Sequence, residues 1–474
     1  MAPDSPRTSD DDRLPFEAPQ TAAGFEADVE SPPQDIVRRG GTFEAFRFRA
    51  YSLFWSGALV SNVGTWMQNY ALAILVYSFR SSQVDLGIVN FVAGAPTLLL
   101  GLTAGVLADR LDRRKLIIWA QVGLMVQATA LALLFDWGRL SSHHAIEALL
   151  WVVFFGLVGG VFTALSFPAW QAMIPDLVPR ENLLNGIALN SAQFQSARLL
   201  GPLVAGGMIL VDLTVGDIFW VNAVSFLFVI AALWVIRPQF AQPRVSTAPA
   251  EREESSWRTL TVGVRYAREH SVIGVLILST AVLTVFGMAY MMLLPAVVDH
   301  LLLPAARGAE LVAHSAAAAA RQGLIDRQTA FLMAANGVGA VLSALVVASL
   351  PASVRRERII PWTLMLLAAA LSAFGLSRNL YLTLVLSAIA GAALLTTNSL
   401  VNTSIQTRVP GELRGRVMSL FVMSFMGLMP FSALIFGFLG QAIGPGFAIL
   451  GGAVVLFGWA GWLIARPGLL CPES

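Results

Sequence analysis

Six of the seven residues at 109–115 are charged: Asp109, Arg110, Asp112, Arg113, Arg114 and Lys115, with Leu111 between them. Apolar runs lie on both sides, so the cluster sits where a chain leaves an apolar medium and turns back into it. Loop charge alone accounts for the basic residues. It does not account for Asp109, four residues after Gly105 and on the same face of a helix. A second basic turn, with Arg414 and Arg416, comes late in the chain. Arg198 stands apart, as a single formal charge deep inside an apolar run. A buried charge costs several kcal/mol unless it is paired or wetted, so it marks function or a gate.

Uncharged polar residues form a third group. Asn62, Trp66 and Asn69 share a face at i, i+4, i+7 spacing, and Asn398, Asn402 and Gln406 form an i, i+4, i+8 ladder. Asn190 and Gln193 accompany Arg198. An unpaired amide facing lipid is costly, so these side chains are candidates to line a cavity. Tyr290, Met291, Met292, Phe421, Met423, Phe425 and Met426 could add adaptable apolar surface. Carboxylates sit at the ends of apolar runs (Asp85, Asp109, Glu147, Asp217), and the best candidates to carry a proton are Asp85 and Asp109. The sequence has no P-loop, so ATP does not drive it directly. The histidines at 143, 144, 270, 300 and 314 lack ligand spacing, and Cys471 is the single cysteine. No metal, cofactor or internal disulfide is expected.

The elements that position these residues follow from composition. Of 474 residues, 56% are hydrophobic and only 13% charged, with mean hydropathy +0.69. Globular domains carry roughly 25% charged residues. Soluble enzymes and nucleic-acid-binding modules are excluded, and a net charge of +2 suggests no polyanionic partner. Twelve apolar runs are predicted as spans, at about 51–78, 86–108, 116–135, 146–168, 184–211, 216–236, 272–298, 329–349, 359–377, 379–403, 416–441 and 444–465. They do not alternate polar with apolar as barrel strands do, so they are helices. Residues 1–45 read as a disordered cytoplasmic tail without the apolar core of a signal peptide, and 467–474 as a short cytoplasmic end.

Placing the tail inside puts most Arg and Lys in inner loops. The outer ones keep only Arg80, Arg139, Arg307, Arg321, Arg327 and Arg378. Both termini are therefore expected in the cytoplasm. The stretch 237–271, with Pro238, Pro243, Pro249 and the charged residues 251–254, reads as a linker between six-helix bundles at 46–236 and 272–466. A repeat supports that division. Val178-Pro179-Arg180-Glu181 recurs as Val409-Pro410-Gly411-Glu412 after the fourth span of each half, and Arg113-Arg114 has a counterpart in Arg355-Arg356. Two related halves with a site between them at mid-membrane are a transporter architecture.

The run Gly105-Val106-Leu107-Ala108-Asp109-Arg110-Leu111-Asp112-Arg113-Arg114-Lys115 resembles the signature loop of the major facilitator superfamily, with Asp112 where glycine is usual. That acidic variant, with the segments 54–57, 61–68, 174–179 and 414–419, resembles the branch of enterobactin exporters and related bacterial efflux proteins. The resemblance covers about 45–465. It implies an all-α polytopic membrane protein of 12 transmembrane helices in two pseudo-symmetric six-helix bundles, in the bacterial cytoplasmic membrane. It also implies that Asp109 and its basic neighbours latch the second and eleventh spans on the cytoplasmic side. Arg414 and Arg416 would be the counter-charges there. Gly201-Pro202-Leu203-Val204-Ala205-Gly206-Gly207 is similar to an exporter motif but has one extra residue between Pro202 and Gly206. As a purely structural feature it is a kink with small residues for close packing.

The expected function is export of small, partly apolar molecules by alternating access. A proton antiporter acting as a monomer is implied by the resemblance, with lipid as the surrounding partner. An importer, facilitator or lipid mover on the same fold is the nearest alternative, and a non-transporting membrane sensor or a membrane enzyme is further off. The topology is directly testable. Cysteines introduced at 237–271 should be shielded from impermeant thiol reagents in intact cells, while ones near Arg139 or at 299–328 should react. Labelling of the linker from outside would overturn the orientation.

Overall fold

A computed structural model describes residues 43–236, 240, 261, 263–303, 315–349 and 355–470. Most of the expected tail and linker and the last four residues lie outside the described residues. So do the side chains of Asp109, Arg110 and Arg414 and the surroundings of Gly105.

In a medium without water every backbone N–H and C=O must be satisfied within the chain, and helices do this locally. Among the described residues there are helices and no strands. The first six are α1 (Arg49–Arg80), α2 (Gln83–Arg110), α3 (Arg113–Asp136), α4 (Ala145–Leu177), α5 (Leu183–Leu210) and α6 (Val215–Val235). The seventh passage, α7, begins as Ser271–Val282. It continues through a π-helical turn (Leu283–Gly287) and short segments to a second π-helical turn, Val298–Leu302. Then come α8 (Ser315–Ser349), α9 (Ile360–Leu376), α10 (Leu380–Arg408) and α12 (Pro445–Ala465). Before α12, α11 runs Gly411–Val422, makes a π-helical turn at Met423–Gly427 and resumes as Met429–Ile443.

The stretch expected as a long outer loop at 299–328 differs. Where it is described it is mostly helical, since α7 extends to Leu302 and α8 starts at Ser315. Residues 316–320 are all alanine, the strongest helix former, which carries α8 well past its apolar part.

Among the described residues, nine of the twelve passages contain a window long and apolar enough to cross a membrane. α1 and α5 are rich in Asn, Gln and Ser, and they pack on one another. The polar side chains are thus gathered inside the bundle. Trp119, Leu99 and Phe447 stand 71%, 77% and 65% exposed, an apolar exterior suited to lipid.

Packing in the second half repeats that of the first. The pairs α2 with α4, α3 with α4 and α3 with α6 return as α8 with α10, α9 with α10 and α9 with α12. The halves meet through α2 with α11 and α5 with α8. Small residues permit the closest approaches. A Cβ on Gly201 would stand 2.9 Å from the Val63 carbonyl of α1, and one on Gly87 the same distance from the Ala433 carbonyl of α11. Within the first half an amide chain ties three helices. Asn222 donates to Gln68 at 2.8 Å and Gln68 donates to Gln127 at 3.2 Å, which satisfies groups of α6, α1 and α3 away from water.

Candidate functional site

Arg198 lies near the middle of α5, three residues before Gly201, where α5 approaches α1 closely. Its guanidinium stands 5.7 Å from the Trp66 ring centroid and 5.6 Å from that of Phe425, and Nη2 reaches Met288 Sδ at 3.7 Å. Trp66 comes from α1, Phe425 from the π-helical turn of α11, and Met288 directly follows the first π-helical turn of α7. One cation is therefore caged by both halves. Such turns interrupt the regular ladder and re-aim side chains, and they recur at functional sites. Ring faces attract a cation by about 0.5–2 kcal/mol, more where water is excluded.

Around this cage the polar residues singled out in the sequence divide. Gln193 is fully buried, and neither end of its amide has a hydrogen-bond partner among the described residues; the same holds for Asn62 Nδ2 and Asn398 Oδ1. Asn190 is buried and Asn69 is exposed. Asn402 accepts from Gln406 at 3.0 Å. Tyr290 is buried and accepts from Asn336, with its ring 5.7 Å from Phe374, so it braces the second half. Pro202 lies inside α5; Gly206 meets Ala330 of α8, and Gly207 faces open space.

The charged turn after α2 acts within the first half wherever it is described. Asp112 caps α3 by accepting from the Lys115 N–H at 3.1 Å. Arg113 pairs with Asp176 of α4 at 3.0 Å, and Arg114 donates to the Trp234 carbonyl of α6 at 2.7 Å. Arg416 is exposed. The second half carries an equivalent of the Arg113 pair with the charges exchanged: Arg408, at the end of α10, pairs with Glu357, just before α9, at 2.8 Å. The sequence repeat matches Arg355-Arg356 to the first turn, but the ion pair falls on the next residue.

At the opposite end lies a set of contacts that spacing does not reveal. Tyr77 of α1 donates to Asp299 Oδ2 of α7 at 2.7 Å, and Arg321 of α8 donates to Oδ1 through Nε at 3.1 Å. Asp212, after α5, pairs with Arg327 of α8, and the Gln83 N–H of α2 donates to Gln441 of α11 at 3.0 Å. Three of these contacts join the two halves and close this end. Asp85, the proton candidate here, faces Arg80 at 3.8 Å. Asp326 of α8 lines a 370 Å³ pocket with Asp212, Leu213 and Arg327, accepts from Gln322 at 2.7 Å, and acts electrostatically on Tyr70 of α1. The only advance signal was that Asp299, Arg321 and Asp326 are charged residues beside apolar runs.

Comparison with known proteins places this geometry. The family model described as transmembrane secretion effector matches residues 40–465. The chain belongs to the transmembrane secretion effector family. It is similar to the enterobactin exporter of Escherichia coli O1:K1, with 26% identity over 402 residues, covering 84% of this chain and 86% of the relative. It is also 24% identical to an uncharacterized major-facilitator-type transporter of Bacillus subtilis strain 168, over 41% of this chain and 43% of the other. Among solved structures, a D-xylose–proton symporter matches at TM-score 0.63 and 15% identity, covering 86% of this chain and 96% of that one. A bacterial homologue of the iron transporter ferroportin, in an inward-facing state, matches at TM-score 0.58 and 15% identity, covering 87% and 98%. The fold is that of the major facilitator superfamily, and the protein is a membrane transporter of that type.

Two carboxylates give this transporter's closed end a defined pH response. Burial opposes ionisation of Asp299, yet hydrogen bonds from Tyr77 and Arg321 and the charges of Arg321 and His300 hold it below the usual carboxylate range. Its contribution is present above about pH 4 and lost only on further acidification. Asp326 has the opposite sign: burial pushes it up to about 6, against the hydrogen bond from Gln322. The folded state therefore holds a proton on Asp326 that a hydrated carboxylate would release. That stabilisation is full below about pH 4 and fades as pH rises through the value near 6. The melting temperature of the purified protein should thus fall between about pH 4 and pH 6.5, and Asp326→Asn should flatten that slope while Gln322→Leu steepens it. An unchanged slope in Asp326→Asn would assign the titration elsewhere.

Proposed function

We propose that this protein exports small, partly apolar molecules, drug- or siderophore-like, from the bacterial cytoplasm by alternating access, driven by proton influx. It works as a monomer with both termini in the cytoplasm, and bundles at 46–236 and 272–466 move about the 237–271 linker. The observation that carries this reading is the Arg198 cage. A mid-helix cation touched by α1, α7 and α11 is a site that any relative motion of the halves must reshape. The name of the Escherichia coli relative supports the outward direction and the substrate class.

The end closed by Tyr77–Asp299 and Asp212–Arg327 is the external one in this reading, because the basic loops lie at the other. In this reading the substrate is loaded from the cytoplasmic side. Opening outward separates Tyr77 from Asp299 but leaves Asp299 with Arg321, since α7 and α8 belong to the same half. The cost is then about one hydrogen bond to a charged group, roughly 1.5–3 kcal/mol, one neutral hydrogen bond between Gln83 and Gln441, roughly 0.5–1.5 kcal/mol, and a solvent-accessible ion pair of little worth. That is a barrier a substrate or a proton can offset. Asp109 latches the cytoplasmic end in the alternate state. A carboxylate that passes between wet and dry surroundings loads and releases the proton; Asp85 and Asp109 are joined in that role by Asp326, at the α5–α8 seam.

Proteoliposomes test the coupling. An imposed proton gradient should drive a transported dye or siderophore against its own gradient, and adding that compound should provoke a counter-flux of protons. Transport indifferent to the gradient would make the protein a facilitator or tie it to another ion. The latch has its own test: Asp109→Asn should lower transport about tenfold, the equivalent of roughly 1.4 kcal/mol, with expression and melting unchanged. Wild-type rates in a well-expressed variant would remove the latch.

A further inference from the structure

Arg198 has an unusual set of neighbours for a cation in an apolar bundle. A guanidinium offers five N–H donors in one plane and cannot be discharged at physiological pH. Here aromatic rings, Trp66 and Phe425, flank it, and the one hydrogen bond described at its edge goes to a thioether, Met288 Sδ, a weak acceptor at 3.7 Å. No Asp or Glu forms an ion pair with Arg198 among the described residues. Arg321, which is buried, shows what this sequence does when a cation is structural: it is given a carboxylate, Asp299, at hydrogen-bond distance.

The face of α1 that carries Trp66 adds a donor: Asn62 Nδ2, one turn from Trp66, is unpartnered among the described residues. Unpaired buried donors are rare and costly unless something accepts from them. An acceptor-rich ligand would satisfy this one together with the free edge of the guanidinium. A cationic ligand would meet the repulsion of the guanidinium there, and the flanking rings favour a flat, unsaturated body beside the charge.

We propose that Arg198 is the recognition point for an acidic group of the transported molecule, so that the substrates are small organic anions carrying an aromatic ring. This rests on the transport reading above and narrows it to one charge class. Because Trp66 and Phe425 belong to opposite halves, an anion that engages the guanidinium changes a contact shared by both. Binding at this point is therefore transmitted to the closure of the bundle.

The test uses full-length protein in lipid nanodiscs and three matched probes: 2-naphthoate, its neutral amide and 2-naphthylmethylammonium. Calorimetric titration of the wild type should show 2-naphthoate binding about tenfold or more tighter than the amide, the scale of one charge-assisted hydrogen bond, with the ammonium weakest. Arg198→Gln should abolish the preference for the carboxylate over the amide, Arg198→Lys should keep it, and Trp66→Leu should weaken the carboxylate and amide alike. Equal affinity for the three probes, a preference that survives Arg198→Gln, or no binding of any probe at millimolar concentration would overturn the assignment. The two readings separate cleanly. Arg198-dependent binding without vesicle transport refutes export and leaves the anion site standing, whereas driven transport of neutral or cationic compounds without anion preference does the reverse.

Discussion

Hydrocarbon supplies no hydrogen bonds, and that single deficit governs this molecule. Every polar group placed between the membrane surfaces must find its partner inside the chain or in what the chain carries. Backbone groups meet the requirement by folding into helices. Side chains meet it by turning inward: Gln68, Gln127 and Asn222 join α1, α3 and α6, and Asn336 holds Tyr290 and the Ser387 carbonyl together across the second half. The same pressure draws α1 and α5, rich in Asn, Gln and Ser, into mutual contact.

Charges obey the rule with less tolerance. Arg113 with Asp176 and Arg408 with Glu357 fasten the third passage of each half to the end of the fourth. These pairs stay within one half and stiffen it as a body. At the closed end, the contacts described between the halves are of another kind: a tyrosine hydroxyl on a carboxylate already committed to Arg321, a surface ion pair and a backbone-to-amide bond. Rigid bodies joined by weak, separable contacts are what a two-state machine needs, since strong pairs across the seam would lock one state.

Arg198 departs from the rule. Its neighbours are soft and polarizable, they come from both halves, and two of them sit at or beside π-helical turns that break the regularity of α7 and α11. A bundle optimised only for stability would have paired this cation or removed it. Asp326, lining a pocket at the α5–α8 seam, adds a carboxylate that burial pushes up to about 6.

The sequence by itself determined the fold. Apolar runs of span length, the repeated Val-Pro motif at 178 and 409 and the signature loop around Asp109 are local or periodic features, and hydropathy reports them because the bilayer selects on segment composition. It also marked Arg198 and Trp66, since a charge inside an apolar run and a polar helical face are visible one helix at a time. Only the tertiary structure decided which side chains meet. Asp299 and Arg321 are 22 positions apart, and Tyr77 and Asp299 are 222 apart. Each looked like an ordinary residue at the edge of a span, and the helical reach of α7 and α8 past their apolar parts was hidden by the loop-like composition there. The exchange of charges between the Arg113–Asp176 and Arg408–Glu357 pairs escaped the repeat for the same reason. A contact between helices depends on their relative rotation and depth, and those are set by packing of the whole bundle.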